Sequence, residues 1–329
     1  MSTPTFIDTL LLLALPASGK SEVRRFMLHT PREQRIDTYH ISDTVQLDDF
    51  PYVHYFRCID EELGKRGRGM EFYKGPRERF LHLADWGTLL QLVNDDYAVM
   101  IDPSKPAPAA DPEALFARID AARGRVGAPA VFAGLDAILR GELATALQGE
   151  TDRLIGELFG NKPDRMDDKT LVIEFARGGP ENSTMPMSKP YGYGWNLSQL
   201  APELLERAAI LYIWVTPEES RRKNIARCDP DDPGSILHHS APDTVMRNDY
   251  GCDDIEHLLG ASGVADTIRI EAHGRSYQLP IARFDNRVDK TTFAHDEPET
   301  WSDADKSALH EGLVGPMQAL WNAYSKLHG

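Results

Sequence analysis

A glycine, a lysine and a serine stand in a row near the N-terminus, in the segment Ala14-Leu-Pro-Ala-Ser-Gly19-Lys20-Ser21. An apolar run precedes this segment and a helix-compatible stretch follows it, which is the context that a phosphate-binding loop requires. In such a loop, backbone N–H groups converge on an anion, the lysine adds positive charge and the serine hydroxyl binds Mg²⁺. The alternative is a chance match in an ordinary strand–turn–helix. The nucleotide-binding residues predicted here are Pro16, Ala17, Ser18, Gly19, Lys20, Ser21 and Glu22.

Two further segments carry charged side chains after apolar runs. They are Leu171-Val-Ile-Glu174-Phe-Ala-Arg177 and Ile213-Trp-Val-Thr-Pro217-Glu-Glu-Ser-Arg-Arg222-Lys-Asn-Ile-Ala-Arg227. With the glycine–lysine–serine sequence, these motifs resemble the nucleoside-monophosphate-kinase-like branch of P-loop proteins, which includes adenylate, shikimate and gluconate kinases. The resemblance is spread over about half of the chain, and Ala14 stands where the usual loop has its first glycine.

The resemblance implies a role for the charged residues of the first segment. Glu174 would support Mg²⁺ together with Ser21, and Arg177 would hold an acceptor phosphate. The loop before Arg177 is one residue shorter than in adenylate kinases and lacks their glycine. The alternative for Glu174 is a surface carboxylate at the end of a strand.

The second segment resembles the helix by which similar kinases enter a mobile lid. Arg222 and Arg227 would stabilise charge on the transferring phosphoryl group, and the lid itself would span about residues 228–254. Arg247 would be a second lid arginine. The alternative is a solvated charged helix.

The acceptor side is predicted from acidic and basic residues between the first two motifs. The sequence Asp48-Asp49-Phe50 resembles uridine-kinase and phosphoribulokinase relatives, in which an aspartate orients the acceptor hydroxyl and acts as its base. Asp43 competes with Asp49 for this role, and both could simply belong to an aspartate-rich turn. Arg57 and the basic residues after it could bind an anionic acceptor or cover the nucleotide, or form a solvated basic loop.

The hydrophobic pattern predicts the elements that would position these residues. Buried strands are predicted at Phe6–Ala14, Ile36–Ile41, Thr170–Phe175, Ala209–Val215 and Thr267–Glu271, with an edge strand or hairpin at Gly274–Phe284. The expected fold is α/β, with a parallel P-loop sheet flanked by helices. The expected divisions are a first core part at 1–102, a helical insertion at 103–166, a second core part at 167–284, and an acidic linker with a C-terminal helix at 285–329.

Composition excludes several classes of protein. The chain has 329 residues and a formal charge of −15, which argues against sequence-independent binding to nucleic acid. The longest apolar run is too short to span a membrane and lacks the basic flank of a secretory signal. Three scattered cysteines do not form a disulfide framework, so we expect a reducing cytoplasm. A structural zinc among Cys228, His238, His239, Cys252 and His257 is disfavoured by their irregular spacing.

The motifs together predict an enzyme that transfers a phosphoryl group from ATP, with Mg²⁺, to a small molecule or a nucleotide. ATP is preferred to GTP as the commoner donor, because no guanine-binding signature is present. One alternative is an ATPase or nucleotide-dependent switch that acts on a protein partner. Another is a toxin-like kinase of sugar nucleotides; a polynucleotide-end kinase is disfavoured by the acidic charge.

Overall fold

The computed structural model describes residues 5–226 and 240–329. The strands are β1 (Thr9–Ala14), β2 (Asp43–Asp48), β3 (Lys169–Ala176), β4 (Ala208–Trp214), β5 (Thr267–Ala272) and β6 (Arg275–Asp285). The α-helices are α1 (Lys20–His29), α2 (Arg32–Tyr39), α3 (Phe50–Lys65), α4 (Asp85–Met100), α5 (Pro112–Arg125), α6 (Ala137–Phe159), α7 (Gly192–Leu197), α8 (Pro202–Leu205), α9 (Pro217–Ala226), α10 (Asp243–Asn248), α11 (Ile255–Ala261) and α12 (Asp303–His328). Short 3-10 helices lie at Phe132–Gly134, Thr292–His295 and Pro298–Thr300.

The six strands form one mixed, mostly parallel sheet in the order β2-β3-β1-β4-β6-β5. The central strand β1 is parallel to β3 and β4, and β4 is parallel to β6. All six residues of β1 are buried, which explains why it reads as an uninterrupted apolar run. The chain therefore has the expected α/β fold with helices flanking the sheet, and the carboxyl ends of β1, β3 and β4 share one edge.

Two strands differ from their predictions. The predicted strand Ile36–Ile41 is wrong, because helix α2 continues to Tyr39 and the strand starts only at Asp43. Strand β2 alternates between buried and half-exposed residues, as an edge strand does, so its apolar signal is weak. Strand β5, predicted among the buried strands, lies at the other edge of the sheet. Strand β6 lies between β4 and β5, and its antiparallel pairing with β5 confirms the hairpin that was one of the two alternatives for Gly274–Phe284.

One face of the sheet is covered by α1, α2 and α12. Helix α12 runs unbroken through Pro316 and buries a stripe of Leu309, Leu313, Met317, Leu320 and Tyr324. Gly312 permits this packing, since a Cβ there would lie 2.8 Å from the Phe284 ring of β6. The helix is therefore an integral layer of the α/β unit.

The chain divides into two compact units. Residues up to Gln46 and from Asp167 onward form the α/β unit, and Leu47–Met166 form a helical unit that begins well before the predicted insertion at residue 103. Within the helical unit α3 packs on α6 and α4 packs on α5. The buried Asp60 carboxylate accepts hydrogen bonds from the backbone of residues 71–73, which fixes part of the glycine-rich basic segment. No helix in residues 5–226 or 240–329 combines the length and apolarity needed to cross a bilayer.

A half-buried acid in the α/β unit gives a pH-dependent prediction. Asp253 accepts hydrogen bonds from the Tyr212 hydroxyl at 2.6 Å and from the Ile255 amide at 3.0 Å. Burial raises the pKa of its carboxyl to about 6, despite the Tyr212 bond. Between about pH 4 and pH 6 the unfolded chain ionises while the native state keeps its proton, so this contribution to stability is lost as the pH rises.

Asp253→Asn mimics the neutral acid. We expect its stability relative to the wild type to increase as the pH rises. The difference between their free energies of unfolding should grow by about 1–2 kcal/mol between pH 4 and pH 7.5, less than the full shift allows because Asp253 is half-buried. Urea unfolding at both pH values measures it. A difference that stays constant would show that Asp253 has an ordinary pKa in the native protein.

Candidate functional site

The segment between β1 and α1, residues 15–19, forms a tight turn at the carboxyl end of β1 and is called the β1–α1 loop below. Ala17 and Gly19 have positive φ values of 54° and 100°. The Ser18 hydroxyl donates to the Leu15 carbonyl at 2.7 Å across the turn. Lys20 follows as the first residue of α1 and is half-buried. The sequence therefore forms the strand–turn–helix that the motif predicts.

Three carbonyl groups, one at the end of β1 and two in the loop, are held by side chains from distant parts of the chain. Tyr193 Oη donates to the Ala14 carbonyl at 2.8 Å, Ser220 Oγ to the Pro16 carbonyl at 2.7 Å, and Asn286 Nδ2 to the Ser18 carbonyl at 2.9 Å. Because the C=O and N–H of a trans peptide point in opposite directions, the following amides point away from these partners. The N–H groups so directed belong to Leu15, Ala17 and Gly19. An anion-binding loop needs amides that face away from the protein's own acceptors.

The predicted Mg²⁺ residues, Ser21 and Glu174, lie together. Ser21 Oγ donates to Glu174 Oε2 at 3.1 Å. Glu174 is buried within β3, where it stands opposite Leu12 of β1 rather than at the strand end. Its other oxygen accepts from Arg24 Nε at 2.7 Å and from Gln46 Nε2 at 3.4 Å. A hydroxyl and a carboxylate are oxygen donors of the kind that Mg²⁺ prefers.

Arg24 was missed by the sequence analysis, although a signal for it existed. It lies three residues after Ser21 on α1, so the two side chains share a helix face and reach the same carboxylate. Glu22, also on the first turn of α1, pairs with His295 at 2.7 Å. The first turns of α1 are thus held by Glu174 on one side and by His295 on the other.

The residues after β6 also contact the β1–α1 loop, and sequence reasoning assigned them to a solvated linker. Asn286 is fully buried, and its side-chain amide donates to Thr291 Oγ1 at 2.9 Å as well as to the loop. Asp289 accepts from Lys223 Nζ at 2.7 Å. Burial opposes ionisation of Asp289, but its hydrogen bonds from Lys223 and the backbone hold its pKa well below the usual range. This segment is therefore part of the wall that shapes the loop.

Gly19 is the position where this wall is closest. A Cβ at Gly19 would lie 2.4 Å from Thr291 Oγ1 and 3.0 Å from Asn286 Nδ2, in addition to its positive φ. We expect Gly19→Ala to lower the free energy of unfolding by about 2–5 kcal/mol, since the left-handed backbone costs about 1–2 kcal/mol and overpacking about 1–3 kcal/mol. Urea unfolding of the purified variant measures the loss.

Gly274→Ala is the matched control for this prediction. Gly274 has a φ of +74° with nothing within 4 Å of its Cβ position, so its substitution carries only the backbone cost of about 1–2 kcal/mol. Equal losses in the two variants would contradict a close contact between Gly19 and Thr291.

The predicted lid arginines lie in different settings. Arg222 is exposed and donates two hydrogen bonds, each 2.7 Å long, to Glu219 on its own helix α9. Arg247 on α10 and Arg221 on α9 both contact Glu181, at 3.2 Å and 2.6 Å. Arg221 was not among the predicted lid arginines, but it and Arg247 share the Glu181 carboxylate.

Only part of the predicted lid can be placed. Arg227 and residues 228–239, which include Cys228, His238 and His239, lie outside the described residues. Residues 249–252 pack on the segment after β3, where the amides of Gly251 and Cys252 donate to the Gly179 carbonyl. This end of the predicted lid is built into the α/β unit.

Arg177 lies just beyond β3 and is buried. Its Nε donates to Asn196 Oδ1 at 2.8 Å and its Nη1 to the Ala176 carbonyl at 2.7 Å. The Tyr193 hydroxyl accepts from the Arg177 amide at 3.2 Å. These contacts tie the end of β3 to α7 and, through Tyr193, to the end of β1. Tyr193 therefore anchors α7 to the carboxyl ends of β1 and β3.

Asp43 begins a strand, whereas it was predicted to follow one. It is the first residue of β2 and pairs with Arg35, with Arg32 at 3.4 Å and with Lys169 at 3.9 Å. Lys169 is the first residue of β3. Gln46, further along β2 than Asp43, contacts Glu174, which lies further along β3 than Lys169. Asp43 is therefore at the amino end of the sheet, whereas the loop is at the carboxyl end. The mistake follows from placing the strand before Asp43 rather than after it.

The remaining acceptor candidates belong to the helical unit. Asp48 Oδ1 accepts from the Phe50 amide at 2.7 Å, which starts α3, and Asp49 is the buried N-cap residue of that helix. The Arg57 guanidinium lies 4.0 Å from the Tyr73 ring centre and donates to the Pro76 carbonyl at 2.9 Å. Arg57 thus helps to hold the basic segment that follows it, and the acceptor roles stay predictions.

A separate cleft of about 480 Å³ lies at the opposite end of α1 from the loop. It is lined by Phe26, His29, Tyr39, Trp301 and His310 among others. The cleft could not be predicted from the sequence, because consecutive helices α1 and α2 form one side of it and the distant residues 298–310 form the other. Comparisons of this chain with protein-family models, with curated proteins and with solved structures give no match.

Proposed function

We propose that this protein transfers a phosphoryl group from ATP to a small-molecule acceptor with the help of Mg²⁺, as P-loop kinases of the nucleoside-monophosphate-kinase-like group do. The observation that carries the proposal is the 3.1 Å contact between Ser21 and Glu174, directly after the loop that ends in Gly19. The predicted phosphate motif thus lies in contact with the acidic residue of a distant strand that the same resemblance assigns to Mg²⁺.

The β1–α1 loop would hold the phosphates of the nucleotide. Its amides face away from the three side chains that hold its carbonyl groups, and α1 presents its N-terminus next to them. Lys20 would add a point charge at the β- and γ-phosphates. Ser21 would hold Mg²⁺ with Glu174 behind it, and the ion would neutralise charge on the phosphate oxygens.

The arginines near α9 would supply the remaining positive charge. Arg221 is mostly buried against Glu181, whereas the side chain of Arg222 is 60% exposed. Arg222 would turn from Glu219 towards the phosphates, because an exposed ion pair of this kind contributes only about 0–1 kcal/mol and exchanges readily for a phosphate.

Cys58 and Cys252 are free thiols, which agrees with the reducing, cytoplasmic compartment that we propose.

An acceptor search tests the proposal. The protein is incubated with γ-labelled ATP, Mg²⁺ and a desalted small-molecule extract, and label transfer is followed by mass spectrometry beside Lys20→Ala. A labelled metabolite that disappears in the variant establishes the kinase and identifies its acceptor. Label released only as inorganic phosphate favours instead the ATPase or switch. No turnover of ATP under any condition overturns both.

A further inference from the structure

A histidine, a cysteine and a glutamate converge on the packed pair of helices α3 and α6 in the helical unit. His54 and Cys58 lie four residues apart on α3, so they share one face of that helix. Glu150 faces them from α6. Their ligand atoms all lie within 4.8 Å of one another. These three residues are called the α3–α6 cluster below.

The spacing of the donor atoms is that of ligands around one metal ion. His54 Nε2 is 3.2 Å from Cys58 Sγ and 3.3 Å from Glu150 Oε2. Around a tetrahedral zinc, the usual bond lengths place a nitrogen about 3.6 Å from a sulfur and about 3.3 Å from an oxygen. Small side-chain movements would therefore bring all three atoms onto a single ion.

Hydrogen bonding alone accounts poorly for this arrangement. Both the thiol and the carboxylate approach the same ring nitrogen, and one nitrogen carries at most one proton. A nucleophilic cysteine triad would instead place the thiol on one ring nitrogen and the carboxylate on the other. The convergence on Nε2 thus distinguishes the cluster from a catalytic triad and points to a shared cation.

We propose that the α3–α6 cluster binds a divalent transition-metal ion, with Zn²⁺ as the preferred ion. The donor set of one thiolate, one imidazole and one carboxylate suits Zn²⁺ rather than the hard ions Mg²⁺ and Ca²⁺, which take oxygen ligands. The site is distinct from the nucleotide site proposed above and does not depend on it.

The surroundings support a site that metal can enter. The side chains of His54 and Glu150 are 27% and 38% exposed, so a hydrated ion can reach them and a water can complete the coordination. Arg153 donates to Glu150 at 3.0 Å and to Glu157 at 2.6 Å. A basic partner of this kind orients a carboxylate that binds a metal ion. Zinc bound here would cross-link α3 to α6.

Cobalt serves as the spectroscopic probe in the test. Full-length, reduced protein is stripped with a chelator and titrated with Co²⁺, and the complex is then titrated with Zn²⁺. We expect one equivalent of Co²⁺ to produce a thiolate-to-cobalt charge-transfer band, and one equivalent of Zn²⁺ to abolish it. Zn²⁺ should also raise the Tm of the wild-type protein.

Ligand variants and other cysteines supply the controls. Cys58→Ser should lose the charge-transfer band, and His54→Gln and Glu150→Gln should each weaken Zn²⁺ binding by about 10-fold or more. Circular dichroism without metal shows that each variant is folded. Cys252→Ser and Cys228→Ser should keep the band. The proposal is overturned if the wild type gives no band, or if the band disappears in either of these two variants instead of in Cys58→Ser.

Discussion

Lys20→Ala is expected to abolish turnover of ATP while leaving the fold intact. Lys20 is the first residue of α1 and follows the loop whose carbonyl groups are held by Tyr193, Ser220 and Asn286. If the lysine charge acts on the developing charge of the phosphates, as proposed, its loss should lower the rate by more than about 100-fold. Its loss should change the free energy of unfolding by no more than about 0.5 kcal/mol. Steady-state turnover and urea unfolding measure the two effects.

Lys326→Ala is the matched control, since it removes the same charge from the exposed last turn of α12. It should retain wild-type turnover. Undiminished turnover in Lys20→Ala would sink the kinase and the ATPase interpretations together, because both use this loop. A loss of turnover accompanied by unfolding would assign Lys20 to the stability of α1 instead.

The centre of the α/β unit could be predicted from the sequence because its signals are local. Strand β1 is buried on both faces and therefore apolar throughout, and the loop follows it directly. Glu174 could be predicted for the same reason, as an acid within a second apolar run. Strands β1 and β3 are adjacent and parallel, so Glu174 of β3 lies beside β1. Ser21, at the start of the helix that follows β1, can therefore reach it.

The parts that were missed depend on contacts between distant residues. Asn286 and Thr291 contact the loop although they lie about 270 residues after it in the chain. Nothing in their own segment distinguishes them from a polar linker. Asp43 was misplaced because Ile36 and Tyr39 favour a strand locally, yet the chain forms a helix there and buries Tyr39 against α12 through His310. Tertiary packing decided these elements, and a single sequence does not reveal it.

Glu174→Gln is expected to lower Mg²⁺-dependent turnover far more than nucleotide binding without metal. The substitution keeps the shape of the side chain but removes the charge that faces Ser21 and Arg24. It should also lower the free energy of unfolding by about 1–3 kcal/mol, because Arg24 loses its charged partner in a buried place. Turnover as a function of Mg²⁺ concentration, nucleotide binding in EDTA and urea unfolding separate these effects.

Arg24→Gln separates the metal role of Glu174 from its role as an ion-pair partner. This variant breaks the same ion pair but leaves the carboxylate beside Ser21. If the carboxylate supports Mg²⁺, only Glu174→Gln should need much more Mg²⁺ for turnover, although both variants break the ion pair. If Arg24→Gln impairs turnover equally, the carboxylate acts by holding α1 against β3. The phosphate loop would then be positioned by an ion pair, and the Mg²⁺ ligands would have to come from Ser21 and the nucleotide itself.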